Sequence, residues 1–245
     1  MTADAAAAGA AGREAGPVNT ALLLALLDSR APAGAHSHSG GMEAAVTAGF
    51  VTGLADAAQF CRLRLRTAGQ VAAAFAAAAA RLWASGGTPA RWAELDAELS
   101  ARLPAAAART ASRQLGSGLR RLVAAMVPAA DLAGPWREIG RPAPHHPLVL
   151  GAAVAIAGGG PPLAATAAAL GTCTGPASAA VRLLGLDPYA VQAMLAGLAD
   201  EINATAAAQA AGSLADFAGL PAPGAPALDL LADVHARSEV RLFAS

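Results

Sequence analysis

Alanine dominates this chain and restricts its fold more than any other feature of the sequence. Roughly 30% of the 245 residues are alanine, well above ordinary usage. Alanine has the highest helix propensity, whereas strands favour β-branched and aromatic side chains, and aromatic residues make up only 4% of this chain. With 55% hydrophobic and 14% charged residues, the composition also excludes a disordered protein. We therefore predict an all-α protein: a single domain of about eight to ten helices with uncharged central helices.

The centre of this domain is predicted by an uncharged stretch at residues 148–181. A membrane-spanning helix needs about 20 apolar residues, but glycine and proline interrupt this stretch at 158–162, 171 and 175–176. The remaining pieces are short and rich in weakly apolar alanine, which is typical of helices inside a soluble helical domain. We expect three short helices between residues 148 and 184, with a small membrane protein as the alternative.

Helix start signals divide much of the remaining chain. Thr88-Pro89 and Asp187-Pro188 each place a capping side chain before a proline at the first helical position, where the missing N–H costs nothing. A helix is therefore predicted to begin at each proline, and the second should reach about residue 211. Two further long helices are predicted at residues 54–84 and 104–127.

The two ends of the chain differ in composition from the helical region at residues 17–220. Residues 1–16 are rich in alanine and glycine and lack the basic start and leucine-rich core of a signal peptide, so we predict a disordered N-terminal tail. Prolines and a glycine at 221–226 predict a flexible linker. Residues 221–245 are therefore interpreted as a linker and a C-terminal partner-docking tail.

This tail would expose large apolar side chains to water if it were free. The side chains concerned are Leu228, Leu230, Leu231, Val234, Val240, Leu242 and Phe243. An exposed apolar patch with polar edges marks a docking site, and a helix laid in a groove is a recurrent binding mode. Arg241 would add a forked donor for a carboxylate. The alternative is that the tail packs on its own domain.

The charge balance excludes several classes of function. The chain has 17 basic and 17 acidic residues, and every basic residue is arginine. The absence of lysine excludes a Schiff-base lysine and the lysine of a phosphate-binding loop, and there is no basic footprint for nucleic acid. A formal net charge of zero gives little colloidal repulsion, so we expect partners or oligomerisation to cover apolar surface.

The histidines and serines form no convincing catalytic set. No serine lies in a G-x-S-x-G elbow. His36 and His38 would point the same way on an extended chain and could share a metal, whereas Ser37 and Ser39 could instead cap the next helix. Two alternatives stay open: a small helical hydrolase using Ser37, His38 and Glu43, and a nickel carrier using His36, His38 and His235.

Two other positions carry specific expectations. Cys61 and Cys173 belong to no metal-ligand spacing, so we predict two buried, reduced thiols. Arg182 follows the uncharged stretch directly. Because an unpaired buried charge is costly, its guanidinium should be paired inside the fold or lie at a subunit interface.

Five blocks of sequence follow the order found in one known family. Residues 32–43 fit P-x-G-x-x-S-x-S-x-G-[LM]-E, and residues 109–116 fit R-x-x-S-x-x-[ML]-G. Residues 145–148 fit H-x-P-[VL], and residues 178–183 read S-A-A-V-R-L, with Gly185 and Gln192 after them. His235 with residues 241–245 fits H-x(5)-R-L-F-x-S. Together these blocks resemble the urease accessory protein UreF family, with departures at Ala236 and Ala244.

The resemblance implies an all-α, cytoplasmic protein without catalytic activity, usually a homodimer. It implies a scaffold that bridges a UreD/UreH-type protein and the GTPase UreG, assists nickel insertion into apo-urease and regulates GTP hydrolysis. Nickel would be handled by the complex, and no cofactor is expected on this chain itself. The residues expected to meet partners are Pro32, Gly34, His36, Ser37, Ser39, Glu43, Ser112, Gly116, Arg182, Gln192, His235, Arg241, Leu242, Phe243 and Ser245.

Overall fold

The computed structural model describes residues 17–28, 30–33, 38–139, 143–237 and 242–243. Within these residues the chain forms eleven α-helices, which confirms the all-α prediction. The first six are α1 (Thr20–Leu27), α2 (Met42–Thr47), α3 (Leu54–Arg64), α4 (Gln70–Ala84), α5 (Pro89–Ala101) and α6 (Ala106–Met126). The others are α7 (His146–Ile156), α8 (Pro161–Leu184), α9 (Pro188–Ala196), α10 (Ala199–Ala210) and α11 (Pro226–Ala236). The predicted disordered tail at 1–16 lies outside the described residues.

Helix α4 forms the centre of the fold and packs against α7 and α8. Residues 73–80 are buried on every side of this helix, and seven of these eight residues are alanine. Small side chains let neighbouring helices approach closely. A Cβ atom added to Gly151 of α7 would lie 2.2 Å from the Ala76 carbonyl oxygen, so only glycine fits there. The centre therefore includes α4 as well as the uncharged stretch that the sequence pointed to.

Helix α8 is continuous, and the predicted breaks at residues 171 and 175–176 are wrong. Pro176 lies inside the helix and is buried. Proline lacks the N–H that would bond the carbonyl four residues earlier, which normally interrupts a helix. Here the carbonyl of Thr172 accepts a hydrogen bond from Nε of Arg64 at 3.4 Å. Burial of both sides of α8 against α3 and α4 then keeps the helix intact.

The predicted start signals are confirmed. Oγ1 of Thr88 accepts a hydrogen bond from the Arg91 N–H at 3.4 Å, and Oδ1 of Asp187 accepts one from the Tyr189 N–H at 3.0 Å. The predicted helix at 54–84 exists as α3 and α4 joined by a π-helical turn, Leu65–Gly69. The helix predicted from Pro188 to about residue 211 is wrong in its extent, because α9 ends at Ala196 and α10 begins at Ala199. None of the helices in the described part of the chain is long and apolar enough to cross a membrane.

The connection between α10 and α11 lies against α5. The guanidinium of Arg102 donates hydrogen bonds to the carbonyls of Ala218 and Leu220 at 2.8 and 2.9 Å, and to that of Pro221 at 3.1 Å. Phe217 is buried, with the guanidinium of Arg91 4.0 Å from its ring centroid. These contacts fix the position from which the last helix begins.

The two cysteines are free and buried, as predicted. The Sγ atom of each lies 3.7 Å from the carbonyl oxygen of the other, which joins α3 to α8. The hydrogen bond with Cys173 and burial both raise the pKa of the Cys61 thiol, so this thiol stays protonated and unreactive.

Candidate functional site

The residues around Glu43 bring the start of α2 together with the end of the chain. Gly41 precedes α2 at φ +87°, a conformation that favours glycine, and Gly40 at φ +59° lies against Pro176 of α8. Oγ of Ser39 accepts a hydrogen bond from the Glu43 N–H at 3.3 Å. This turn directs the Glu43 carboxylate inward, where the residue is only 7% exposed.

The Glu43 carboxylate holds the C-terminal tail. Oε1 accepts a hydrogen bond from the Leu242 N–H at 2.7 Å, and Oε2 accepts one from the Phe243 N–H at 2.9 Å. Nε2 of His235 lies 3.1 Å from Oε2. A buried carboxylate is costly unless it is hydrogen-bonded, and the Leu242 and Phe243 N–H groups from the end of the chain meet that need, with the His235 ring in contact beside them.

Phe243 fills an apolar pocket beside this carboxylate. The ring is buried among Met42, Ala45, Val51, Ala57, Phe60, Ala179 and Ala180. The guanidinium of Arg182 lies 4.3 Å from the ring centroid, in a cation–π contact on the open side of the pocket. Arg182 thus has a partner inside the fold, but its side chain is exposed instead of buried.

Helix α11 is held on one side and open on the other. Oδ1 of Asp233 accepts a hydrogen bond from the Ala107 N–H at 3.1 Å, which caps α6, a helix without a side-chain cap of its own. Leu230, Val234 and Leu242 remain 69%, 64% and 76% exposed. We call α11 together with Leu242 and Phe243 the docked tail. One side of it packs on the domain, and the other presents three large apolar side chains.

A second cluster of polar residues joins α5, α6 and the start of α7. The guanidinium of Arg113 donates to Oδ2 of Asp96 at 2.8 Å and to Oγ of Ser100 at 3.0 Å. The His145 N–H donates to Oδ1 of Asp96 at 3.1 Å. The ring nitrogens of His145 lie 2.9 Å from Oγ of Ser100 and 3.0 Å from Oγ of Ser112. We refer to these five residues as the Asp96 network.

The loop before α7 passes very close to α6 at Gly116. A Cβ atom there would lie 2.0 Å from the Pro144 carbonyl oxygen, so any other residue would push the loop away. The sequence blocks at 109–116 and 145–148 are therefore two halves of one contact. This contact is buried, with His145 fully covered, so its role is to position helices.

Comparison with known proteins decides the family. The sequence model of the UreF family matches residues 51–199. A urease accessory protein UreF of Mycobacterium sp. (strain JLS) is 46% identical over 226 residues, covering 91% of this chain and 97% of the relative. The chain belongs to the UreF family. UreF proteins of Mycobacterium marinum and Mycobacterium tuberculosis (strain H37Rv) are 45% and 42% identical, each over 92% of this chain and 98% of the relative.

As a UreF protein, the chain is a urease accessory protein and not an enzyme. Glu43, which the hydrolase alternative needs as a catalytic carboxylate, already accepts hydrogen bonds from two N–H groups of the tail and lies 3.1 Å from Nε2 of His235. Within the part of the chain that the structure describes, no three histidine, cysteine or carboxylate side chains converge as metal ligands.

The structure places the UreF motif residues in several regions. Ser39, Glu43, Arg182, His235, Leu242 and Phe243 converge at the docked tail, whereas Ser112 and Gly116 belong to the contact between α6 and the α7 loop. Gln192 is exposed on α9, and Pro32 is exposed before the 38–41 turn. Gly34, His36, Ser37, Arg241 and Ser245 lie outside the described residues.

Two residues of these UreF sites could not be assigned from the motifs. Asp96 lies on the buried face of α5 beside Trp92, Leu95 and Leu99. The sequence did contain one signal for Asp96: it falls at helical spacing within the apolar face of α5. A carboxylate on such a face must find a buried partner. Asp233 gave no comparable signal. Its carboxylate accepts from the first turn of α6, and the sequence does not show that α11 lies beside that turn.

The buried His145 of the Asp96 network and its neighbour His146 predict how the stability of this protein responds to pH. Burial lowers the pKa of His145 from 6.5 to about 4, so the folded protein keeps this ring neutral. The unfolded chain binds the proton near pH 6.5, so stability is lost as the pH falls from about 6.5 towards 4. A shift of this size corresponds to about 3 kcal/mol. Burial also lowers the pKa of His146 to about 4, and it contributes in the same direction.

Urea unfolding at a series of pH values measures this dependence. We expect the free energy of unfolding to decrease between pH 6.5 and pH 4 in the wild-type protein. The decrease should be smaller in His145→Gln, which has no proton to bind. Equal pH dependence in the two proteins would contradict this assignment.

Proposed function

We propose that this protein is a scaffold for urease maturation that bridges a UreD/UreH-type accessory protein and the GTPase UreG. In that complex it assists nickel insertion into apo-urease and regulates GTP hydrolysis, acting in the cytoplasm. Nickel is handled by the assembled complex, and this chain contributes binding surfaces. The observation that supports the proposal most directly is the docked tail, which is anchored at Glu43 while its outer side stays apolar and open.

The outer side of the docked tail suits a protein partner. Leu230 and Val234 are four residues apart on α11, so they lie on one helix face, and Leu242 adds to the same exposed apolar set. Burial of apolar surface lowers the free energy by about 25 cal/mol per Å², so a partner that covers these side chains binds more favourably. Because the tail is already folded on its own domain, less ordering entropy is lost when a partner binds. The UreD/UreH-type protein is the partner that we assign to this surface.

Truncation after Arg237 tests the role of the tail. This change removes Leu242 and Phe243 but keeps the Asp233 cap of α6 and the His235 side chain. In cells that contain the other urease operon proteins, we expect the truncated protein to lose the UreD/UreH-type protein and UreG on purification, and urease to remain unloaded with nickel. Full retention of both partners together with full nickel loading would contradict the proposal. A Leu63→Ala protein, altered at an exposed leucine of α3, is the matched control.

Self-association is the second part of the proposal. Helix α1 has no charged residue, and while Leu23 and Leu26 are buried, Leu24 and Leu27 are exposed on its outer side. A helix that is apolar all round is normally covered on all sides. We assign this outer side to contact with a second copy of the chain.

Sedimentation equilibrium of Leu24→Glu tests this assignment. We expect a dimer for the wild-type protein and a monomer for the variant, because the new carboxylate would be buried at the interface without a partner. The control is Leu63→Glu, which should stay dimeric. A wild-type monomer at all concentrations, or an unaffected dimer in Leu24→Glu, would exclude this contact.

A further inference from the structure

A basic pocket lies at the C-terminal end of α6, away from the docked tail. It is an open cavity of about 520 Å³, formed where residues 128–133 turn back past the end of the helix. Its charged lining residues are Arg120, Arg121 and Asp131, and Pro128 and Leu132 contribute apolar walls.

Arg120 and Arg121 differ from most arginines in this protein. Most of the others in the described chain hold the fold together, as Arg102 does through backbone carbonyls and Arg113 does through Asp96. Neither Arg120 nor Arg121 has a carboxylate within 4.0 Å or a side-chain hydrogen bond within the described residues. The Nε atom of Arg120 is in addition covered from solvent without an acceptor. A buried donor without a partner is costly, and an oxygen-bearing ligand that reached this group would relieve that cost.

We propose that this pocket binds an acidic side chain, an aspartate or glutamate, of a protein partner. Two adjacent guanidinium groups can grip one carboxylate through paired N–H donors. Asp131 also lines the pocket, and its negative charge disfavours a doubly charged phosphate more than a singly charged carboxylate. Pro128 and Leu132 fit the methylene groups of an acidic side chain.

The position of the pocket gives the proposed scaffold a second contact surface. Assigning a urease maturation protein to this surface rests on the scaffold proposal. Asp233 of the docked tail caps α6 at Ala107, whereas the pocket begins at Arg120 on the same helix. Thirteen residues of α-helix span about 20 Å, so the two surfaces are separate. Two partners can therefore contact this chain together, one at the docked tail and one through an acidic residue at the far end of α6.

Binding of a capped tetraglutamate peptide to the full-length protein tests the pocket. NMR signals of the arginine Nε–H groups report on the site. We expect saturable shifts at Arg120 with a dissociation constant near the millimolar range. Arg120→Gln/Arg121→Gln should weaken binding by about tenfold or more, and Arg121→Gln alone, at an exposed position, serves if the double variant does not fold.

The controls separate a specific site from general charge attraction. Arg137→Gln removes one exposed arginine outside the pocket and should leave the affinity unchanged. A capped tetraglutamine peptide should not bind. The proposal is overturned if tetraglutamate gives no saturable shift, if Arg137→Gln weakens binding as much as the double variant does, or if inorganic phosphate binds more tightly than the peptide. None of these results depends on the truncated protein, so the scaffold proposal is tested separately.

Discussion

Replacing Glu43 with alanine is expected to release the end of the chain and to abolish retention of the UreD/UreH-type partner. The change removes the acceptor of the Leu242 and Phe243 N–H groups and the partner of His235. Hydrogen bonds to a charged group contribute about 1.5–3 kcal/mol each, so the loss is large for a short segment. Phe243 would then lack the restraint that keeps its ring in the pocket beside Met42.

Amide hydrogen exchange and co-purification measure the two parts of this prediction. We expect the protection of the Leu242 and Phe243 amides to be lost in Glu43→Ala and reduced in Glu43→Gln, which keeps one acceptor but not the charge. Glu138→Gln, at an exposed carboxylate, should behave as the wild-type protein does. Unchanged protection in Glu43→Ala would show that Glu43 does not hold the tail. Lost protection with full partner retention would show that partner binding does not need the docked tail.

Replacing Asp96 with alanine is expected to give the largest loss of stability. The carboxylate accepts from the Arg113 guanidinium and from the His145 N–H inside the contact of α5, α6 and α7. Removing one member of a buried ion pair costs about 3–5 kcal/mol, because the other charge stays buried without a counter-charge. For a domain of this size we expect the midpoint of thermal unfolding to fall by roughly 10 °C.

Glu94→Ala is the matched control for Asp96→Ala, since both residues lie on α5. Glu94 pairs with Arg91 at an exposed position, and such pairs contribute about 1 kcal/mol or less. The midpoints of thermal unfolding of the two variants should therefore differ by several degrees, and urea unfolding should give a lower free energy of unfolding for Asp96→Ala than for Glu94→Ala. If both variants lose the same small amount of stability, the Asp96 network does not stabilise the fold in the way that its geometry indicates.

The functional site was only partly predictable from the sequence. The motifs named Glu43, His235, Leu242 and Phe243 among the residues expected to meet partners, but they left open whether the tail meets a partner or its own domain. The structure places one side of the tail on the domain and leaves the other side open. Chain positions almost 200 residues apart meet at Glu43, and no local pattern encodes a contact of that range. The role of Asp96 could be suspected only from its position in an apolar stripe.

The sequence alone determined the all-α class and the helix starts at Pro89 and Pro188, because helix propensity and capping act within a few residues. Only the tertiary structure decided that α8 continues through Pro176. There the Thr172 carbonyl that proline leaves unbonded receives a donor from Arg64 of α3, and packing outweighs the local penalty. Tertiary structure likewise decided the setting of Glu43, whose carboxylate is stable in its buried position because the far end of the chain supplies its N–H donors.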